Sequence, residues 1–327
     1  AAPPANAVVA RGGADQLFVT WTSREPVDVY VSNMPDDPAR TATRVSFEDA
    51  DGRHEITGAG GPRRFIILRN TRTGELARVA ERLVPLEAGS NFRDIGGYPA
   101  ANGRHVRWGA IYRAGATPLL TPADVARVHD LGIVNMVDLR SDEKRLLAPT
   151  RIDGIPYTAV GYSMRQLSIA GGMEGVYRGF PVTMAPHLKQ IFAKLLRSEQ
   201  PIAYNCSAGQ DRTGFATAKV LSALGTPREA IIADYHLSTE FSSPQFEMPR
   251  IDPAAHPGNP AAALFARYQD DPVASKPQPL KTADGKPYLD FALAEIEARW
   301  GSVDAYLRDD IGLGAADIAK LRAIYTY

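Results

Sequence analysis

One short stretch combines residue types and spacing suited to nucleophilic chemistry on phosphorus. The segment YNCSAGQDRTGF, residues 204–215, holds the only cysteine of the 327-residue chain, and Cys206 and Arg212 have a C-x5-R spacing. A cysteine thiolate is a strong nucleophile. A guanidinium group binds two phosphate oxygens at once, which an ammonium cannot do. The alternative is a buried structural cysteine beside a solvated Asp-Arg pair, but such a cysteine has no need of these neighbours.

The elements around this stretch predict a cradle for an anion. PIAYNC reads as an apolar strand, and DRTGFATAKVLSALG reads as a helix. A loop of small residues between strand and helix aims backbone N–H groups and the helix dipole at one point, where they bind an anion and stabilise a thiolate. Thr213 is placed to hydrogen-bond the sulfur. The phosphate-binding candidates are Ser207, Ala208, Gly209, Gln210 and Thr213, with Ala208 and Gly209 keeping side chains away from the anion.

The composition is that of an ordinary globular protein. Apolar residues make up 44% and charged residues 23%, and Lys+Arg and Asp+Glu both total 37. No net field therefore attracts nucleic acid or an anionic membrane, and no apolar run is long enough to span a bilayer. The six histidines lack metal-ligand spacing, and no nucleotide-binding glycine loop stands out. We expect neither a metal nor a cofactor.

The length predicts two domains. Residues 1–85 read as short strands separated by turns, which favours a small antiparallel β-sandwich resembling fibronectin type III or immunoglobulin modules. We interpret this domain as a packing or spacing module without chemistry. Its predicted core residues are Phe18, Trp21, Val29, Val31, Phe65, Ile67 and Leu83.

Residues 86–327 alternate strands with helices. This order predicts an α/β domain with a central, mostly parallel sheet flanked by helices, including a helix near residues 182–197. Residues 244–287 interrupt the pattern, because nine of these 44 positions are proline. Such an insertion is either a surface excursion or a lid or wall beside the active site.

Four segments carry a resemblance to a known family. NFRDIGGY (91–98), GAIYRAG (109–115), VDLRSDEK (137–144) and CSAGQDRTG (206–214) occur in this order, and YLRDDIGLGAADIAKLR lies near the C-terminus. Together they resemble the bacterial and fungal tyrosine phosphatases of the PtpB type, secreted by mycobacteria, and their lipid-phosphatase relatives. The resemblance covers about residues 86–327 and leaves the first domain outside.

The resemblance implies catalytic roles. Cys206 would attack phosphorus to form a cysteinyl phosphate, while Arg212 and the loop amides hold the phosphate oxygens. Asp211, inside the loop, would be the general acid, unless it merely pins the loop. Asp138 is the second candidate for the acid, because its strand end should face the same cleft.

Two further residues are candidates for the pocket wall. Arg93 and Asp94 stand in the NFRDIGGY segment, and Asp138 joins them if it is not the acid. A structural salt bridge between segments is an equal alternative for Arg93 and Asp94. Arg140 is interpreted as scaffold.

Two positions depart from the family pattern. Asn205 replaces a histidine before the cysteine, so an amide holds the loop without adding positive charge. Gln210 replaces a lysine that, in some relatives, supports recognition of multiply phosphorylated lipids. The departure at Gln210 favours phosphotyrosine over phosphoinositides.

We therefore predict a metal-independent phosphomonoesterase acting on phosphotyrosine in proteins or peptides. The alternatives are a phosphoinositide or inositol-phosphate phosphatase, and an adhesion protein whose phosphate loop binds without turnover. The chain begins AAPPANA without Met, as an exported protein does after removal of its signal peptide. We expect a periplasmic or secreted protein, although a trimmed cytoplasmic protein would look the same.

Overall fold

The computed structural model describes residues 2–150 and 152–327, and they form two compact units. The first comprises the chain through Val84 together with Arg107–Gly109, and the second comprises Pro85–Val106 and Ala110–Tyr327. No helix in the described ranges is both long and apolar enough to cross a membrane.

The first unit consists of two antiparallel sheets, as expected for a β-sandwich. The three-stranded sheet has the order β1-β2-β5 and the four-stranded sheet the order β4-β3-β6-β7. Five of the predicted core residues are buried, and Phe18 and Leu83 are half-buried. The strands are β1 Ala5–Arg11, β2 Gln16–Thr22, β3 Val27–Ser32, β4 Thr43–Asp49, β5 Arg53–Thr57, β6 Phe65–Asn70 and β7 Leu76–Ala80.

The alternation of β2 explains why Phe18 was wrongly assigned to the core. Leu17, Val19 and Trp21 are buried. Successive side chains of a strand point to opposite faces, so positions 18 and 21 cannot share a face. The Phe18 ring instead lies under the Arg53 guanidinium, 4.6 Å from its carbon atom to the ring centroid.

The second unit is an α/β domain with a five-stranded sheet of order β11-β10-β12-β9-β8. Its strands are β8 Arg93–Asp94, β9 Ile111–Ala114, β10 Asn135–Asp138, β11 Tyr157–Ala159 and β12 Ile202–Asn205. All pairs are parallel except β8 with β9. The predicted mostly parallel sheet is therefore confirmed.

Ten helices accompany this sheet in the described part of the second unit. They are α1 Pro122–Asp130, α2 Asp142–Leu147, α3 Gly172–Thr183, α4 Ala185–Leu196, α5 Arg212–Ala223, α6 Arg228–Phe241, α7 Pro260–Tyr268, α8 Tyr288–Trp300, α9 Val303–Asp309 and α10 Ala315–Tyr325. Helix α5 is buried along almost its whole length, in the main hydrophobic core of the unit.

One predicted helix starts later than expected, and the insertion contains a short helix. The helix expected near residues 182–197 is α4, which starts at Ala185 with a proline in its first turn; the residues before it end a separate helix, α3. Proline has no N–H to donate and is favoured at a helix start. Within the insertion, the nine-residue α7 begins at Pro260 for the same reason, with Asn259 as its N-cap.

Candidate active site

Strand β12 places the cysteine at the carboxyl edge of the sheet. It is buried throughout and lies between β10 and β9, with Asn205 opposite both Asp138 and Ala114. Parallel strands end at the same edge, so the residues that follow all three strands meet there. Cys206, 7% exposed, is the first residue beyond β12.

The loop after Cys206 leads directly into helix α5. The helix starts at Arg212, and Asp211 occupies the N-cap position without a capping side-chain hydrogen bond. The Asp211 carboxyl therefore does not cap the helix. The Oγ of Ser207 is buried and has no hydrogen-bond partner in the described structure, so the loop keeps an unused hydroxyl beside the cysteine.

Two buried side chains hold the loop through the carbonyl of Gly209. Arg113 Nη2 donates to this oxygen at 2.7 Å and Asn91 Nδ2 at 2.8 Å. In a trans peptide the C=O and the following N–H point in opposite directions. The N–H of Gln210 therefore points away from the buried donors, as an amide that receives an anion must.

A buried ion cluster supports Arg113 in turn. Asp234 of α6 lies 2.9 Å from Arg113 Nη1 and 3.5 Å from Arg93 Nε, and both arginines are fully buried. The Tyr98 hydroxyl also donates to Asp234, at 2.7 Å. Buried charges need a partner of opposite charge, and Asp234 supplies it to both arginines, while the Nε of Arg113 has no hydrogen-bond partner in the described structure.

Arg93 and Asp94 lie inside the protein rather than on an open wall. Both are fully buried, and the Oδ1 of Asp94 accepts from the Gly96 N–H at 2.8 Å. Arg93 donates to the Asp234 carbonyl at 2.7 Å and to the Asn91 side chain. The Arg93 contacts correspond to the structural alternative, a salt bridge that links segments, whereas the contact of Asp94 is with the local backbone.

Glycine is required at position 209 for a reason other than the expected one, which was to keep a side chain away from the anion. Its φ is +68°, and an added Cβ would lie 2.6 Å from the backbone of Ala114 and Gly115. A side chain at this position would thus clash with that adjacent backbone segment rather than with a bound anion. A left-handed backbone and close packing together require glycine.

Thr213 and Asn205 both bind the backbone of Cys206. Thr213 Oγ1 accepts a hydrogen bond from the Cys206 N–H at 2.9 Å, and Asn205 Nδ2 donates to the Cys206 carbonyl at 3.1 Å. The Thr213 contact is thus with the cysteine's amide, not its sulfur. The hydroxyl keeps its own proton available for donation.

Asp211 is hydrogen-bonded to one of two tyrosines whose hydroxyl groups contact each other. The Tyr177 hydroxyl of α3 donates to Asp211 Oδ1 at 2.5 Å and lies 2.7 Å from the Tyr235 hydroxyl. Burial raises the pKa of the Asp211 carboxyl, although the Tyr177 hydrogen bond and the charge of Arg212 act against this effect. A raised pKa favours the protonated form that a general acid needs.

The second candidate for the acid is already paired. Asp138 receives Arg140 Nη2 at 2.8 Å and Arg140 Nε at 3.0 Å, and both side chains are 1% exposed. Arg140 Nη1 also donates to the Ala148 carbonyl at 2.7 Å. The arrangement binds the C-terminal end of α2 to the end of β10 and favours Asp211 as the candidate proton donor.

The proline-rich insertion supplies a second carboxyl near Asp211. Ser90 Oγ donates to Glu247 Oε2 at 2.6 Å. Burial, reinforced by the charge of Asp211, raises the pKa of Glu247 to about 7. Glu247 also lines a cavity of about 520 Å³, whose wall includes Met248, Phe265 and other insertion residues.

Several site residues were not found from the sequence. Arg113 and Asn91 stand in segments that carried the family resemblance, but neither had been given a role. Tyr177, Asp234 and Glu247 come from helices or loops far along the chain. No local pattern marks a tyrosine or a glutamate for a site that tertiary folding alone assembles.

Within residues 2–150 and 152–327, no group of three or more His, Cys, Asp and Glu side chains could hold a metal ion. The positive charge beside the loop is Arg212, whose guanidinium lies 5.3 Å from the centroid of the Tyr162 ring.

Known proteins are similar in sequence to most of this chain. Residues 84–327 match the model of the tyrosine phosphatase family. A protein of Cupriavidus necator described as a candidate tyrosine-protein phosphatase is 32% identical over 256 residues, covering 72% of this chain and 85% of that protein. The triple specificity protein phosphatase PtpB of Mycobacterium tuberculosis is 27% identical over 279 residues, covering 72% and 95%.

A more distant relative agrees with these two. The tyrosine-protein phosphatase of Nostoc commune is 22% identical over 249 residues, covering 68% of this chain and 76% of that protein. The matched region contains the loop from Cys206 to Arg212, the Asp211–Tyr177 pair and the ion cluster behind the loop. The chain therefore belongs to the tyrosine phosphatase family.

Proposed function

We propose that this phosphatase hydrolyses phosphotyrosine in proteins or peptides through a cysteinyl-phosphate intermediate, without a metal ion. The observation that carries the proposal is the convergence of three groups on one loop. Cys206 directly follows the central strand β12, and Arg212 begins helix α5. Asp211 lies between them, accepts a hydrogen bond from Tyr177, and has a raised pKa.

The first step transfers the phosphoryl group to sulfur. The Cys206 thiolate attacks phosphorus, the S–P bond forms, and the P–O bond to the tyrosine ring breaks. Asp211 gives its proton to the departing phenolate oxygen. Arg212 and the backbone N–H groups of the loop bind the three equatorial oxygens, which carry the charge of the transition state.

The second step regenerates the enzyme. A water molecule attacks the cysteinyl phosphate, the S–P bond breaks, and inorganic phosphate leaves. The Asp211 carboxylate, deprotonated in the first step, accepts a proton from this water. The Thr213 hydroxyl, which already accepts from the Cys206 N–H, has a proton that can stabilise the departing thiolate.

Two features support an aromatic monoester as the substrate. Gln210, which is neutral, donates from Nε2 to Ser242 Oγ at 3.0 Å, so this loop position adds no charge for a second phosphate. The Tyr162 ring beside Arg212 adds an aromatic surface near the loop. We also propose that the insertion is a wall of the site, because it carries Glu247 to within electrostatic range of Asp211.

Cys206→Ser tests the chemistry. We expect no measurable turnover of p-nitrophenyl phosphate or phosphotyrosine peptide, while inorganic phosphate still binds because the loop amides remain. Acid quenching of the wild-type enzyme during turnover should trap a phosphoryl group on Cys206, detected by peptide mass spectrometry. Turnover above about a hundredth of the wild-type rate in Cys206→Ser, which is ~2.7 kcal/mol in barrier height, would rule out this nucleophile.

The choice of substrate is tested separately. The wild-type kcat/KM for a phosphotyrosine peptide is compared with those for a soluble inositol phosphate and a phosphoinositide in mixed micelles. We expect the peptide to be preferred. Faster hydrolysis of either inositol compound would replace the tyrosine assignment and leave the cysteine mechanism in place.

A further inference from the structure

We propose that Lys144 is a second cation of the phosphate-binding site and contacts the phosphoryl oxygens of the substrate together with Arg212. This inference rests on the proposed function and deepens it. The sequence motif predicts a phosphate-binding loop from Cys206 to Arg212, whereas Lys144 belongs to a different strand–helix unit.

The sheet brings Lys144 to the edge that carries the cysteine. Strand β10 pairs in parallel with β12, with Asp138 opposite Asn205, and the Leu139 N–H donates to the Asn205 carbonyl at 2.8 Å. Lys144 lies in the first turn of α2, the short helix that follows β10. The chain leaving β10 therefore runs beside the chain that enters the phosphate loop.

Tyr162 connects this segment to Arg212. Its ring lies 5.3 Å from the Arg212 guanidinium carbon, and its hydroxyl donates to the Leu139 carbonyl at 2.8 Å. The Asp142 N–H donates to the Tyr162 carbonyl, also at 2.8 Å. The start of α2 is thus fixed against the residue that packs on the phosphate-binding arginine.

The ammonium group of Lys144 is positioned but unpaired. Its Nζ lies 5.9 Å from the centroid of the Phe265 ring in α7, which supports the half-buried side chain. It has neither a hydrogen bond nor an ion pair with any residue the structure describes. Lys194, by contrast, is ion-paired with Glu199 at 3.4 Å.

The charges around Lys144 are those of the active site. Its electrostatic partners include Arg212, Cys206 and Asp211, in decreasing order of effect. Burial and then the Arg212 charge lower the pKa of the Lys144 ammonium. The charge of Arg212 thus acts unfavourably on the Lys144 ammonium, and a phosphate dianion bound by both cations would relieve this repulsion.

A binding role also accounts for the neutral residue in the loop. Gln210 adds no charge and is held by Ser242, so within the loop Arg212 alone carries positive charge. A phosphate monoester brings about two negative charges near neutral pH. Lys144 supplies the second cation from the neighbouring helix.

The test compares variants of the full-length protein that change charge and shape separately. Lys144→Met keeps a long side chain against Phe265 but removes the charge, whereas Lys144→Arg keeps a charge. Lys189→Met removes an exposed charge from α4 and serves as the control. The measurements are KM and kcat for p-nitrophenyl phosphate, and the dissociation constant of inorganic phosphate by calorimetry.

Loss of a charge-assisted contact is expected to weaken phosphate binding about tenfold in Lys144→Met. KM should rise by a similar factor, and Lys144→Arg should recover most of the affinity. Phosphate affinity in Lys144→Met equal to that of Lys189→Met would overturn the proposal. So would an equal loss in Lys144→Arg, because the side chain would then act through its shape.

These outcomes separate the Lys144 proposal from the proposed function. Wild-type turnover and trapping of the cysteinyl phosphate depend on Cys206 and are measured without any change at Lys144. If the wild type turns over and Lys144→Met binds phosphate normally, only the role of Lys144 is wrong. If the wild type neither turns over nor forms the adduct, the proposed function fails, and this inference fails with it.

Discussion

The Tyr177 hydroxyl donates a 2.5 Å hydrogen bond to the Asp211 carboxyl. The bond joins α3 to the last residue before α5, so a helix 34 positions upstream sets the orientation of a loop side chain. An aspartate at the start of a helix usually caps it. Asp211 makes no capping bond, which leaves its carboxyl for proton transfer.

Asp211→Asn should reduce activity in proportion to the basicity of the leaving group. General acid catalysis is typically worth ~10²–10⁴-fold and matters least for acidic phenols. We expect a large fall in kcat/KM on phosphotyrosine peptide and a small one on an aryl phosphate whose phenol is strongly acidic. Equal losses on both substrates would mean that Asp211 shapes the loop, and Asp138→Asn would then be measured in the same way.

Tyr177→Phe should move the alkaline limb of the kcat/KM profile to higher pH. The Tyr177 hydrogen bond lowers the pKa of Asp211 against the effect of burial, so its removal raises that pKa further. The general acid then stays protonated to higher pH. Tyr325→Phe is the control, because its hydroxyl donates to the Leu195 carbonyl in the hydrophobic core. An unmoved limb in Tyr177→Phe would show that another group titrates there.

Asp234→Asn should unfold the second unit more easily and weaken the loop. The change leaves Arg93 and Arg113 buried without their carboxylate. Removing one partner of a buried ion pair costs about 3–5 kcal/mol, which lowers Tm by roughly 10 °C in a unit of this size. Thermal unfolding followed by circular dichroism measures the effect. A fall below ~1 °C would mean that the arginines do not depend on this carboxylate.

Lys219→Met should stabilise the protein, and more so at neutral than at alkaline pH. Lys219 is fully buried on α5, its Nζ has no hydrogen-bond partner in the described ranges, and burial lowers its pKa to about 7. Leaving such a group unsatisfied costs about 1–3 kcal/mol.

The pH dependence of this effect has a definite sign. Between pH 7 and the ordinary lysine value of 10.5 the unfolded chain binds one more proton than the folded one, so wild-type stability rises with pH. The advantage of Lys219→Met in Tm should therefore be constant below pH 7 and shrink towards pH 10. An advantage that grows with pH would contradict this assignment, and Lys189→Met provides the exposed control.

A chain that starts at Leu86 should retain kcat on p-nitrophenyl phosphate. Every residue proposed for chemistry or phosphate binding lies in the second unit. We therefore propose residues 86–327 as the catalytic domain, with no catalytic group supplied by the β-sandwich. Circular dichroism must first establish that the shortened chain is folded. A folded but inactive product would assign part of the site to the first 85 residues.

The sequence alone determined the strand–loop–helix unit and the chemistry it implies. Cys206, Arg212 and the small residues between them are close in the chain, and local geometry suffices to bring them together. The alternation of strands and helices likewise predicted the parallel sheet, because burial on both faces imposes its own pattern. The prediction for β2 was wrong at Phe18, because it placed positions 18 and 21 in one core although side chains at even and odd positions point to opposite faces of a strand.

Tertiary structure alone decided what surrounds the loop. Arg113 and Asn91 donate to the Gly209 carbonyl, and Asp234 pairs with Arg113. Tyr177 donates to Asp211, and the charge of Arg212 acts on Lys144. These side chains come from separate strands and helices, and folding brings them to one edge of the sheet. Their roles arise from burial and from charges meeting across the fold, which no spacing along the chain encodes. The sequence thus specifies the cysteine and its loop, while tertiary packing specifies the hydrogen bonds and the charges that surround the loop.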